Sequence, residues 1–276
     1  MNSLECRMME ILCELKDKYH VVGVKAEFEA EGTRMEEAQR LKDVTTKAGL
    51  GMNIKIGGCE AIKDMFDAIA LGSERIIAPM VESAYALKKF LAAINLVYSA
   101  DLRNNVEFLI NLETITACRN FPEMLRLPEI EQLDGVVIGR VDLTGSMGLT
   151  REDINSGDIL MLSLEMAALA KEHDLDVVVG GGVSVHSQPF FRAFPRGHLD
   201  RFETRKIVFS CPAALSNPEE AFLKAVEFEL LWLKNKKEFY GQIYREDDAR
   251  IQMLERRYQD AIAALGEGRR QLKLSA

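Results

Sequence analysis

Two acidic residues stand just past the ends of successive apolar runs. Glu113 follows Val106–Leu112 (VEFLINL), and Asp142 follows Gly135–Gly139 (GVVIG). If the two runs are neighbouring parallel strands, about 4.8 Å apart, both carboxylates reach one divalent ion. Carboxylate oxygens completed by water suit Mg²⁺ or Mn²⁺. Other polar residues close apolar runs in the same way. They are Glu27 and Glu29 around the end of Val21–Phe28, Lys55 in IKIGG, Glu82 in PMVES, Asn111 beside Glu113, Arg140 beside Asp142, and Ser184 with His186 in GGGVSVHSQ. Glu27 and Glu29, two positions apart, share one face of an extended chain, and Glu27 is a candidate general base.

The elements that bring such residues together follow from periodicity. Short β-rich runs alternate with longer amphipathic segments, which is the pattern of βα units around a parallel sheet. Seven runs read clearly as strands: Val21–Phe28, Met52–Ile56, Arg75–Pro79, Val106–Leu112, Gly135–Gly139, Val177–Gly180 and Lys206–Ser210. Helices are predicted over Leu4–Lys18, Arg34–Ala48, Glu60–Ala70, Ala84–Val97, Asn120–Glu131 and Ile159–His173, where apolar residues recur every three or four positions. No G-x-G-x-x-G follows the first strand, which argues against a doubly wound nucleotide-binding sheet. The expected fold is therefore a TIM-type (β/α) barrel with an eighth strand that is atypical or missing. In such a barrel the chemistry sits at the C-terminal ends of the strands, where the polar residues above fall.

The barrel is expected to span residues 1–217. From Pro218 to Leu265 the chain is nearly free of Gly and Pro, with Gly241 the exception, and carries an apolar stripe through Phe222, Val226, Leu230, Leu233, Tyr240, Tyr244, Ile251, Leu254, Tyr258, Ile262 and Leu265. This predicts one long helix, or two broken near Gly241. A stripe of that length exceeds one barrel wall, so residues 218–276 are read as an oligomerisation arm and the protein as a homo-oligomer.

Composition excludes several classes. The chain has 276 residues, 35 basic against 43 acidic, for a net charge of −8. An acidic chain whose basic residues are scattered, with only Lys234–Lys237 and Arg269–Arg270 in local runs, offers no footprint for nucleic acid or an anionic membrane. No apolar run is long enough to span a bilayer, and MNSLECRMMEILCELKDKYH lacks the apolar centre of a secretory signal, so a cytoplasmic location is expected. Cys6, Cys13, Cys59, Cys118 and Cys211 form an odd set without a CxxC pair, read as free and mostly buried thiols.

INLETITACRNFPEML followed by LDGVVIGRVDLTGSMGL resembles the paired signature of the HpcH/HpaI aldolase and citrate lyase β family, within the phosphoenolpyruvate/pyruvate-binding barrels. The stretch from IKIGGCEA to PMVESAYALKKF resembles that family's preceding signature. The resemblance implies that Glu113 and Asp142 bind the metal and that Asn111 touches the substrate. It implies further that the turn of Gly139, Arg140, Val141 and Asp142 receives the substrate carboxylate, and that Lys55 stands where the family has an arginine beside the enolate oxygen.

The same resemblance implies a Mg²⁺- or Mn²⁺-dependent carbon–carbon lyase acting on a small 2-oxo acid. Such an enzyme cleaves or forms a 4-hydroxy-2-oxo acid through a pyruvate enolate, with water on the metal or Glu27 handling the proton. Two departures keep other readings open. Lys55 lacks the planar fork of arginine, and Ala30 or Glu31 stands where a histidine is usual. The alternatives are an acyl-CoA lyase of the citrate lyase β or malyl-CoA type, and a family member without aldol activity that serves as a binding or scaffold protein.

Overall fold

A computed structural model of the chain describes residues 1–274, with side chains through residue 260 and at residue 262. Leu265, Arg269 and Arg270, named above, lie outside the residues whose side chains are described.

Helix α1 (Ser3–Tyr19) precedes the barrel and begins at a capping box in which Asn2 and Glu5 satisfy each other's backbone N–H. The βα alternation then runs β1 (Val21–Glu27), α2 (Met35–Lys47), β2 (Gly51–Lys55), α3 (Ile62–Leu71), β3 (Arg75–Ala78), α4 (Ala84–Val97) and the short α5 (Ala100–Arg103). It continues with β4 (Glu107–Leu112), α6 (Ile115–Met124), β5 (Gly135–Gly139), α7 (Arg140–Ser146), α8 (Gly157–Lys171) and β6 (Asp176–Gly180). The last elements are α9 (Gln188–Arg192), β7 (Arg201–Glu203), β8 (Ile207–Ser210) and α10 (Pro218–Leu274).

The sheet closes in the order β1 to β8. Strands β1 to β7 pair in parallel, whereas β8 runs antiparallel to both β7 and β1. The eighth strand is thus present and the barrel is mixed. The missed element is β7, whose three residues, Arg-Phe-Glu, are too few to show an alternation. The apolar run Lys206–Ser210, seventh in the sequence pattern, supplies β8. Thr204, Arg205 and Lys206 link the two, and Thr204 N donates to Ile207 O at 2.9 Å. So short a link can only make a hairpin, because a parallel return needs a crossover of a dozen or more residues.

One helix also starts earlier than its periodicity suggested. Thr114 Oγ1 accepts from Ala117 N at 3.0 Å and opens α6 at Ile115, while Leu125, Leu127 and Ile130 continue the apolar spacing past its end at Met124.

Inside the barrel, Ile77, Leu109, Val137 and Val178 of β3 to β6 form one buried apolar cluster. The N-terminal strand ends are joined by charges. Arg75 grips both oxygens of Glu107 at 2.8 Å, and Arg201 reaches Glu107 at 3.0 Å and Asp176 at 2.8 Å.

By internal contacts the chain divides into two compact units, Met1–Leu231 and the remainder from Trp232. The first turns of α10 therefore belong to the barrel unit, where Phe222 packs on the rings of Phe202 and Phe209 at centroid distances of 5.7 and 6.0 Å. Beyond them α10 continues through Gly241 without the break that the glycine had left open. In the second unit Leu233, Ile243, Tyr244, Ile251, Leu254 and Tyr258 are exposed. Among the described residues no helix is long and apolar enough to cross a membrane. The described cysteines are all free, but Cys118 alone is buried, contrary to the expectation that most would be.

Candidate active site at the barrel mouth

Side chains two apart on a strand share a face, and that rule aims Lys25 with Glu27, Leu109 with Asn111, and Arg201 with Glu203 into the barrel. A cavity of about 790 Å³ opens there, lined by Lys25, Glu27, Lys55, Asn111, Glu113, Asp142 and Glu203 among others.

Glu113 is its most enclosed acid, 1% exposed. One oxygen accepts from the backbone N–H of Met80 at 2.9 Å, and the other from Asn111 Nδ2 at 2.7 Å and Lys55 Nζ at 3.2 Å. Met80 holds φ at +51°, a left-handed conformation unusual for a side chain with a Cβ, and it is this residue's N–H that meets Glu113. Gly139, at the end of β5, makes room for the acid: a Cβ there would lie 2.8 Å from Glu113 Cβ.

Lys55 is shared, its second partner being Glu29 at 3.0 Å. Burial pushes its pKa down, but Glu113 and Glu29 more than reverse this and hold it above the ordinary value, so it is a cation at neutral pH.

Beside it lies a second ion cluster. Lys25 Nζ sits 2.6 Å from Glu203 and 3.1 Å from Glu27, with all three side chains nearly enclosed. Burial alone would depress the Lys25 pKa, yet the two carboxylates raise it. Glu27 shows the mirror effect: burial raises its pKa, but Lys25, then Lys55 and Arg205, bring it below the ordinary range and keep it ionised. At the β7–β8 hairpin Lys206 pairs with Glu31, and Arg205 lies 3.7 Å from Glu31 and 4.0 Å from Glu27.

Asp142, in the first turn of α7, is exposed but lines the same cavity. Partial burial and then the charge of Glu113 raise its carboxyl above the ordinary value. Asn111 Oδ1, buried beside Glu113, has no hydrogen-bond partner. These oxygens suit a hard divalent ion. Two like-charged carboxylates with an orphaned amide oxygen form a donor set that a cation relieves, and Mg²⁺ commonly takes only one or two carboxylates and keeps several waters. Among the described residues no group of three or more His, Cys, Asp or Glu side chains is gathered for a metal. Any such ion would therefore lean on Glu113, Asp142 and solvent.

The Arg140 side chain does not enter the cavity. It is fully buried and donates to Gly180 O at 3.1 Å, Gly181 O at 2.9 Å, Asn155 Oδ1 at 2.7 Å and Ser187 Oγ at 3.3 Å. The guanidinium also lies 4.7 Å from the Phe190 ring, and burial lowers its pKa to about 10. What this residue can offer a ligand is its backbone, next to Gly139 and Val141, which line the cavity.

Glu82 does not cap the helix after it. Ser83 does so, while Glu82 accepts from Thr114 Oγ1 at 2.6 Å. His186 is exposed in a single turn at Val185–Ser187. Lys25 and Glu203 went unnoticed in the sequence for different reasons. Lys25 was legible from its two-residue spacing to Glu27, whereas Glu203 belongs to the strand that had no signal.

Comparison with known proteins agrees with this architecture. The family model described as HpcH/HpaI aldolase/citrate lyase matches residues 36–179, just over half of the chain. Among solved structures, the chain resembles an HpcH/HpaI aldolase/citrate lyase family protein from Burkholderia cenocepacia J2315, with 13% identity, TM-score 0.57, and coverage of 89% of this chain and 100% of that one. An HpcH/HpaI aldolase from Desulfitobacterium hafniense DCB-2 aligns with 12% identity and TM-score 0.55 over 69% of this chain and 79% of that one. The citrate synthase SbnG aligns with 13% identity and TM-score 0.56 over 71% and 81%. At these identities the likeness is one of fold. No curated protein matches.

Proposed function

This chain belongs to the HpcH/HpaI aldolase/citrate lyase family, and from that premise we propose that it is a divalent-metal-dependent carbon–carbon lyase that forms or cleaves a 4-hydroxy-2-oxo acid through a pyruvate enolate. The observation that carries the reading is the Lys55 ammonium, held between Glu29 and Glu113 in the cavity that Asn111 and Asp142 also line.

Glu113 and Asp142 are the residues that would hold Mg²⁺ or Mn²⁺, and such an ion supplies Lewis-acid polarisation of a 2-oxo acid. The chain's own residues supply the rest. Lys55, held as a cation at neutral pH by Glu113 and Glu29, offers positive charge to an oxygen that becomes negative as the enolate forms. Glu27, kept ionised by Lys25, can accept the proton lost from carbon and return it. Asn111 Oδ1, buried without a hydrogen-bond partner, is available as a hydrogen-bond acceptor toward the bound molecule or as a ligand atom toward its ion. The backbone from Gly139 to Val141 bounds the site where the substrate carboxylate would lie.

The acyl-CoA reading has less support, because the cavity rim carries Glu219 and Glu229 beside Arg151 and Arg205 rather than a cationic groove for CoA phosphates. The exposed apolar residues of α10 beyond Trp232 support association of this chain with its own copies.

Pyruvate in D₂O tests the enolate directly. With Mg²⁺ or Mn²⁺ the methyl protons should exchange for deuterium, observed by NMR. A chelator should stop the exchange, and so should Glu113→Gln. No exchange with either metal would overturn the reading.

A further inference from the structure

The cavity is much larger than the chemistry at its floor requires. About 790 Å³ lies in the range of sites that enclose drug-sized ligands, whereas pyruvate has three carbons. Part of the surplus space is walled by apolar side chains. Four of the large apolar residues that the barrel unit leaves exposed, Met80 at 45%, Val185 at 39%, Leu223 at 69% and Val226 at 62%, line this one cavity. They come from three separate parts of the chain: the turn after β3, the turn before α9, and the first turns of α10. Phe222 and Ala225, also lining it, are buried and fix the helical wall on which Leu223 and Val226 stand.

Apolar side chains exposed singly are ordinary, but four converging on a functional cavity mark a surface for an apolar ligand. The charges at the rim are mixed, Arg151 and Arg205 against Glu219 and Glu229, and give an anionic tail no net attraction. Arg205 already stands within 4.0 Å of Glu27 and 3.7 Å of Glu31.

We propose that the acceptor half of the substrate is a carbonyl compound with an uncharged apolar tail, and that the tail lies against Met80, Val185, Leu223 and Val226. The carbonyl end faces Lys55 and Glu113, where the new carbon–carbon bond forms between the enolate carbon and the carbonyl carbon; Glu27 takes the proton from the broken methyl C–H bond and returns it to the carbonyl oxygen, which becomes a hydroxyl. This rests on the enolate reading for the reaction, but not for binding of the tail, and the experiment separates the two.

Binding is measured by saturation-transfer NMR with unreactive methyl ketones from butan-2-one to heptan-2-one. Affinity should rise about fourfold per added methylene, and Leu223→Asp and Val226→Asp should each lower heptan-2-one binding by about tenfold. Both side chains are exposed on the helix surface, so neither change opens a cavity in the core. In parallel, turnover of pyruvate with straight-chain aldehydes should rise with chain length, and the two variants should remove that dependence while leaving methyl-proton exchange unchanged. Ketone binding without exchange would keep the apolar tail site and sink the enolate reading together with the bond-forming step. Exchange without ketone binding, or a preference for hydroxylated or anionic aldehydes, would overturn the proposal. It would also fall if the two substitutions dissociated an oligomer and left ketone affinity untouched, since a second copy of the chain would then cover these residues.

Discussion

Lys55 Nζ lies 3.2 Å from Glu113 and 3.0 Å from Glu29, so a single cation is divided between an acid on the strand end of β4 and one in the loop after β1. If this charge stabilises the developing enolate oxygen, Lys55→Met should slow methyl-proton exchange about 100-fold or more, the usual loss when one such electrostatic partner is removed. Lys55→Arg restores the charge and should recover part of the rate. Equal rates in wild type and Lys55→Met would show that the cation only balances the two glutamates.

Lys25 pairs with two acids at once, Glu203 and Glu27, all three nearly out of solvent. Removing one member of a buried ion group leaves charges without compensation and costs about 3–5 kcal/mol. Lys25→Met should lower unfolding free energy by that amount in urea titration, and adding Glu203→Gln should recover a measurable part. A loss below about 1 kcal/mol would mean that water reaches these carboxylates freely.

The four hydrogen bonds of Arg140 end on the barrel wall and its neighbouring turns, with none directed into the cavity. Arg140→Met strips partners from two carbonyls, Asn155 and Ser187, and should cost about 2–4 kcal/mol of stability. Thermal melting provides the readout. A variant that kept its melting temperature and raised only the KM for pyruvate would contradict the structural role and return the guanidinium to the substrate.

Acid should destabilise the barrel partly through Glu107. Burial raises its pKa, but hydrogen bonds from Arg75 and the charge of Arg201 bring it below the ordinary value. A depressed carboxyl contributes stability that is complete above the unfolded pKa of about 4.3 and is lost as pH falls through the folded value. Asp134 and Asp176 nearby act in the opposite sense. Burial raises both, so their charged forms oppose folding at neutral pH and this cost is relieved on protonation. Urea midpoints between pH 3 and 7 should therefore fall less steeply below about pH 4 in Glu107→Gln than in wild type. Parallel curves for the two proteins would rule out the contribution.

Most of the scaffold and much of the site are legible in the order of the residues. Runs such as VEFLINL and GVVIG set the strands β4 and β5, and the polar residues ending them, Asn111, Glu113 and Asp142, line the cavity because a barrel collects its strand ends in one place. Lys55 and Glu27 were legible for the same reason. The remainder depends on contacts distant in sequence. Three residues, Arg201–Glu203, become a strand because β6 and β8 flank them, and this places Glu203 opposite Lys25. The direction of the Arg140 side chain was equally hidden, since strand-end position fixes where its Cα lies but the carbonyls of Gly180 and Gly181, an adjacent strand away, fix where its guanidinium goes. Local periodicity records which face of an element is apolar, whereas a buried charge is placed by partners that only the closed barrel brings within hydrogen-bond reach.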